Sequence, residues 1–164
     1  AGEIARARRY HSALSLALFD IDDFKRLNDE YGHPVGDRIL RELGALVAQN
    51  VRESDLPARY GGEEFALVLP ETRRVEALEL LERLRRMVEQ HPFCVPEHPV
   101  RLTVSIGIAQ FDPANHTVFD FVQEADAALY EAKRQGKNRV LVYGIHTFAE
   151  PGGNGKKARA EQPA

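Results

Sequence analysis

Residues 56–70, LPARYGGEEFALVLP, are two extended segments joined by Gly61-Gly62-Glu63-Glu64. Glycine has no Cβ, so this stretch predicts a tight β-hairpin with both glycines at positive φ and Pro70 closing the second strand. Such a hairpin commits the chain to an antiparallel pair and places two adjacent carboxylates at its tip. Two unit charges ~4 Å apart repel by ~4 kcal/mol at an effective dielectric near 20. Positive charge is therefore expected close to the turn.

Around the hairpin, hydrophobic spacing supplies the other elements. ALSLALFDID alternates through Leu14, Leu16 and Leu18 and predicts a buried strand ending near Asp20. DDFKRLNDEYG predicts a short helix stopped by Gly32, and GDRILRELGALVAQNV a second helix with Ile39, Leu40, Leu43, Leu46 and Val47 at helical spacing. A long helix is expected over 72–90, with Val75, Leu78, Leu81, Leu84, Met87 and Val88 on its inner stripe. The Pro-rich loop HPFCVPEHP and a long strand, VRLTVSIGIAQF, follow. TVFDFVQEADAALYEAKRQG predicts a helix ended by Gly136, and NRVLVY a last strand. The order β-α-α-β-β-α-β-α-β predicts an α+β fold, a mixed central sheet flanked by helices. GEIARARRYH at the start is helix-like and lacks an N-cap sequence, which suggests a piece of a longer polypeptide. From Gly144 onward apolar content is too low to offset ordering entropy, so 144–164 is expected to be a flexible tail.

With 164 residues, 43% hydrophobic and 29% charged, the chain suits one domain with a real core. A net charge of -3 argues against nucleic-acid binding through bulk positive charge, so any anion site must be local. The single cysteine, Cys94, excludes an internal disulfide, and neither a membrane-spanning run nor a signal-peptide pattern is present. A cytoplasmic location is expected.

Three motifs have both a plain and a chemical reading. In FDIDDFK, Asp20 and Asp22 share a strand face, and the next helix N-terminus offers free N–H groups to phosphate, with Lys25 adding a charge; alternatively, Asp22 or Asp23 caps the helix. In the turn, Glu63 and Glu64 are either solvated or, beside Asp20 in one sheet, hard oxygen ligands of the kind Mg²⁺ uses with nucleotide phosphates. Around the helix end AKRQGKN, Lys133 and Lys137 either complement the helix dipole or clamp phosphate.

FDIDDFKRLNDEYGHPVGD, RESDLPARYGGEEF and EADAALYEAKRQGKNRV, in this order and spacing, resemble the GGDEF family of diguanylate cyclases over residues 3–143. The resemblance implies a fold like the palm of nucleotide cyclases and polymerases, and condensation of two GTP into cyclic di-GMP with release of pyrophosphate. It implies Mg²⁺, with Mn²⁺ as a substitute, on Asp20, the Ile21 carbonyl, Glu63 and Glu64. Glu63 and Glu64 carry catalysis in that reading, Glu64 either completing a second metal position or helping to deprotonate the attacking hydroxyl.

Substrate would contact Phe24, Lys25, Gly61, Gly62, Lys133 and Lys137, while Asn28 and Asp37 read the guanine edge. Lys137 stands where the family often has Arg, which implies a non-bidentate contact. RESD, a plain polar helix exit when taken alone, would supply Arg52 and Asp55 to an inhibitory product site. Arg83 would be its second arginine, with Arg85 and Arg86 as alternatives. Implied partners are GTP, cyclic di-GMP, a second copy of the domain during catalysis, and an upstream sensor or receiver domain. Neither nucleic acid nor membrane insertion is expected.

GEEF for GDEF keeps both carboxylates. The Asp-x-Leu-Thr segment usual ahead of the family's first helix lies outside this sequence, so residues 1–143 are expected to form a domain truncated at its first helix. A non-catalytic nucleotide receptor and a structural dimerisation module are the competing readings. Loss of Asp20, a turn carboxylate or a phosphate lysine would favour the receptor, and all of them are present.

Overall fold

Eight consecutive buried residues, Leu14–Ile21, form strand β1 at the centre of a five-stranded sheet in the computed structural model, which describes residues 2–94, 99–114 and 116–146. In chain order the elements are α1 (Gly2–Tyr10), β1, α2 (Phe24–Tyr31), α3 (His33–Gln49), β2 (Leu56–Arg59), β3 (Glu64–Pro70), α4 (Arg74–Gln90), β4 (Val104–Gln110), α5 (Val118–Arg134) and β5 (Val140–Val142). The sheet order is β2-β3-β1-β4-β5, antiparallel except for the β4–β5 pair. This is the predicted mixed α+β layering, with α1 added ahead of β1.

The period-2 pattern of β1 sorts its side chains between two cores. Ala17, Phe19 and Ile21 face α2, α3 and α4 together with Phe65, Leu67, Leu69, Val104, Ile106 and Ile108. Leu14, Leu16 and Leu18 face α5 and α1, packing with Ala7, Phe121, Ala125 and Leu129. Burying a side chain the size of Phe19 contributes roughly 2–3 kcal/mol, so a strand buried on both faces anchors the sheet. Helix α5 lies very close to β4. A Cβ on Gly107 would come within 2.2 Å of the Leu129 nitrogen and 2.3 Å of the Ala125 carbonyl oxygen.

Several local expectations change. Neither Gly61 nor Gly62 lies at positive φ. Arg59 pairs with Phe65 across the hairpin, and the amides of Tyr60 and Gly61 both donate to the Glu64 carbonyl, so the reversal is wider than a two-residue turn and needs no left-handed residue. A Cβ on Gly61 would stand 2.6 Å from Glu64 Oε2, the far end of an exposed side chain that can rotate away, and at Gly62 nothing lies within 4 Å.

Val75 is exposed, and Ala77 takes its place on the buried stripe of α4 with Leu81, Leu84 and Val88. Strand β4 begins at Val104 rather than Val100, because Val100 bridges back to Phe93 and the Thr103 carbonyl accepts from the Asp22 amide. Gly144, Ile145 and His146 form a turn in which the Ile145 and His146 amides donate to the Val142 carbonyl; the rest of the predicted tail lies outside the described residues. No helix among the described residues is long and apolar enough to cross a membrane.

Candidate active site

The end of β1, the start of α2, the hairpin tip and the end of α5 meet at an open pocket of about 220 Å³. Asp20, Ile21, Asp22, Asp23, Phe24, Lys25, Glu63, Lys133 and Lys137 line it. Because β1 pairs with β3, Asp20 stands directly across from Glu64, so like charges face each other where a sheet normally avoids them.

Asp20 is 5% exposed, and its Oδ1 has no hydrogen-bond partner. Burial pushes its carboxyl above the ordinary value of 3.8, opposed by a hydrogen bond and ion pair from the Lys133 ammonium and reinforced by the charges of Asp22 and Glu63. Among the described residues no three Asp, Glu, His or Cys side chains form a preassembled metal cage, and neither Glu63 nor Glu64 makes an ion pair. The carboxylates would repel one another in such a cage, and Lys133 instead neutralises Asp20. The donor set is nonetheless suited to a hard divalent cation, with an orphaned carboxylate oxygen on Asp20 and Glu63 and Glu64 without cationic partners.

The positive charge expected close to the turn is Arg59, but it binds the loop carbonyls and not the carboxylates. Arg59 folds over the tip and donates through Nε and Nη2 to the carbonyls of Gly61 (3.2 Å) and Gly62 (3.0 and 2.6 Å). It fixes the loop backbone and leaves the carboxylates unpaired.

Neither aspartate caps α2. Asp23 occupies the N-cap position at φ 56° without a side-chain capping bond, and its carboxylate accepts from Lys137 Nζ at 2.6 Å. Asp22 accepts from Thr103 Oγ1 (2.7 Å), Ser105 Oγ (2.6 Å) and the Asn138 amide (3.0 Å), so it straps the strand end to β4 and the loop after α5. The first-turn amides of α2, at Phe24, Lys25 and Arg26, have no intrahelical acceptor, the arrangement that favours an anion at a helix N-terminus. Lys25 is exposed and makes no ion pair among the described residues. The Phe24 ring is buried toward Gly36.

The two residues expected to read a base sit at the α2–α3 junction. Asn28 Oδ1 is buried without a partner, and Asp37 is exposed at the start of the second turn of α3. A Cβ on Gly36 would come within 1.9 Å of Asn28 Oδ1, so that glycine makes room for the amide. Gly36→Ala should therefore displace Asn28 and weaken guanine-nucleotide binding by about 10-fold, with the melting temperature moving little because Asn28 is only half-buried; calorimetric titration checks it.

A second, larger groove of about 900 Å³ contains Arg52, Asp55 and Arg83. The Arg52 amide donates to Asp55 Oδ2 at 2.8 Å, and Asp55 Oδ1 is buried without a partner. Of the α4 arginines left open by sequence, Arg83 faces this groove. Arg85 is held away by Glu82, Glu89 and Asn138, and Arg86 lies in a shallower neighbouring depression.

The strap through Asp22, the Arg59 clamp and the space at Gly36 escape sequence reasoning. The only advance signal was the acidic density of DIDD and an arginine two residues before the glycine pair.

A five-stranded mixed sheet flanked by helices, with carboxylates and lysines gathered at one sheet end, has the palm-like α+β fold of nucleotide cyclases. The chain belongs to the GGDEF family of diguanylate cyclases: the family model described as "Diguanylate cyclase, GGDEF domain" matches residues 1–139. It is 44% identical over 143 residues to diguanylate cyclase DosC of Escherichia coli, covering 86% of this chain and 31% of that protein. The active GGEEF domain of a Vibrio cholerae diguanylate cyclase superposes with a TM-score of 0.81 at 36% identity, covering 87% of this chain and 90% of that one. The GGDEF domain of DgcB from Caulobacter crescentus, in complex with c-di-GMP, also gives 0.81, at 34% identity and with 87% and 84% covered. The chain spans between a fifth and about a third of the length of the curated relatives it matches.

Proposed function

We propose that this domain condenses two GTP into cyclic di-GMP and pyrophosphate, and that the product binds back at the Arg52–Asp55–Arg83 groove. One observation carries the reading. Among the described residues three buried side-chain polar atoms lack a partner, Asp20 Oδ1, Asn28 Oδ1 and Asp55 Oδ1, and each falls in a different proposed subsite: metal, base and product. A buried acceptor left unsatisfied costs roughly 1–3 kcal/mol, and a ligand that donates to it or coordinates it relieves that cost.

Cyclases of this family are metal-dependent; here Asp20, the Ile21 carbonyl, Glu63 and Glu64 would hold Mg²⁺, with Mn²⁺ as a substitute. Such an ion supplies charge stabilisation for the reacting phosphate oxygens. The remaining roles belong to the chain's own side chains. Asp37 accepts from the guanine N1–H and exocyclic amine, a donor pair adenine lacks, and Asn28 fixes the base edge. Lys25, Lys133, Lys137 and the α2 amides hold the triphosphate, with the turn backbone at Gly61 and Gly62 open to its approach. Binding would require Lys133 to turn from Asp20 to phosphate, which frees the carboxylate. Glu64, beside Gly61, would either complete a second metal position or help to deprotonate the attacking 3′-hydroxyl.

Each GTP in the two-fold product attacks once, so two domains meet face to face in catalysis, each presenting one bound nucleotide. A regulatory domain elsewhere in the parent protein would bring them together. In the product groove, guanidinium groups match the O6 and N7 edge of guanine or a phosphate.

Incubation of the 164-residue chain at high concentration with GTP and Mg²⁺, followed by mass detection, should yield cyclic di-GMP. Failure to bind GTP and to form the product would overturn the reading. Arg52→Ala should keep turnover while weakening product inhibition by about 10-fold or more; an unchanged inhibition curve would remove the groove from the scheme.

A further inference from the structure

Immediately after α5 the backbone does something costly. Gly136, Lys137 and Asn138 have φ of 120°, 64° and 46°, so two non-glycine residues in succession occupy the left-handed region. Asparagine tolerates that region and lysine does so poorly, so the conformation persists only where surrounding contacts over-determine it.

Those contacts come from helix α4, on the far side of the loop from the pocket. Arg85 Nη1 donates to Asn138 Oδ1 at 2.7 Å, and Asn138 Nδ2 donates to Glu89 Oε1 at 2.9 Å. Arg85 is itself fixed, with only 13% of its side chain exposed and bonds to Glu82 and Glu89. On the pocket side, the Asn138 amide donates to Asp22 Oδ2 at 3.0 Å. The Lys137 amide donates to the Ala132 carbonyl at 3.0 Å, and Arg139 Nε donates to the Lys137 carbonyl at 3.0 Å. Every polar atom of the Asn138 side chain is thus used, and the result is that Lys137 turns its ammonium to Asp23 at the pocket mouth.

We infer that Asn138 is a positioning residue for the triphosphate site: held from α4 by Arg85 and Glu89, it aims Lys137 at the nucleotide. This rests on the GTP-binding reading above. A lysine contributes as a point charge on a flexible stem, so its value to a phosphate depends on where the backbone launches it. An arginine would reach with a fork and tolerate some misplacement. With Lys at 137, the launch angle set by Asn138 matters more.

The test is a double-mutant cycle on the full 164-residue chain. Its probe is 3′-deoxy-GTP with Mg²⁺, which lacks the attacking hydroxyl and cannot be cyclised, titrated calorimetrically. Asn138→Ala and Lys137→Ala should each weaken binding by about 10-fold, and the double variant should be no weaker than Lys137→Ala alone. A purely structural role for Asn138 would instead multiply the two losses.

Arg85→Lys keeps a charge near Glu82 and Glu89 but has one nitrogen where Arg85 uses Nε for Glu82 and Nη1 for Glu89 and Asn138. It should weaken binding by about 3-fold with Lys137 present and not at all in its absence, so the question stays answerable if Asn138→Ala does not fold. Multiplicative losses, or no effect of either Asn138→Ala or Arg85→Lys, overturn the assignment. Failure of the unsubstituted chain to bind 3′-deoxy-GTP defeats the GTP-binding reading itself, and this assignment with it.

Discussion

Asp20→Asn should lower cyclic di-GMP formation by roughly 10²–10³-fold and at the same time make the ligand-free domain more heat-stable at neutral pH. The two effects share one cause. Asp20 is almost fully buried opposite Glu64, with one oxygen unpartnered, and burial holds its carboxyl above the ordinary value of 3.8.

A carboxyl raised on folding contributes stability fully below its unfolded value, and that contribution is lost as pH rises through the folded value. At pH 7 the ionised group is therefore a liability that the neutral amide removes, while Lys133, partly exposed, turns to solvent at little cost. The gain in melting temperature should be a few degrees at pH 7 and should shrink toward zero as pH falls to about 4. Calorimetric scans at both pH values check it. A variant that melts lower than the parent at pH 7 would contradict the picture of a strained, ligand-awaiting carboxylate.

Gly107→Ala is expected to have the largest effect on folding of any single methyl addition in the sheet. The new Cβ would overlap the Leu129 nitrogen, the Ala125 oxygen and the Ala128 carbonyl carbon, 2.2, 2.3 and 2.8 Å away, all of them helix backbone that no rotamer change can move. Helix α5 would have to lift off β4, at a cost of about 3 kcal/mol or more. Lys133 would move with α5, so any folded fraction should also bind GTP more weakly. Chemical denaturation measures the first effect and titration the second. Gly62→Ala is the control, since nothing lies within 4 Å and its φ is ordinary, and its denaturation midpoint should match the parent.

Periodicity made most of the fold legible. The alternation of Leu14, Leu16 and Leu18 located β1, and the spacing of Ile39, Leu43 and Val47 located α3, because burial against a neighbouring layer enforces those periods. Val75 misled because it extends the three-residue spacing of Leu78, Leu81 and Leu84, whereas the buried stripe runs through Ala77, Leu81, Leu84 and Val88 at spacings of four, three and four. The turn misled differently. A glycine pair between strands suggests positive φ, but here the loop is wide and neither glycine takes a left-handed backbone. The capping role proposed for Asp22 or Asp23 failed because better donors, Thr103, Ser105, Asn138 and Lys137, arrive from distant segments that local sequence cannot reveal.

By itself, then, the sequence determined the element order, the acidic and basic residues that chemistry would need, and a resemblance that named the family, since each of these depends on residue type and local spacing. Tertiary structure alone decided that β1 lies beside β3, which puts Asp20 across from Glu64, that Arg83 rather than Arg85 faces the groove with Arg52, and that Arg85 reaches over to hold Asn138. These are contacts between segments far apart in the chain, fixed by which faces must be buried together, and no local pattern encodes them.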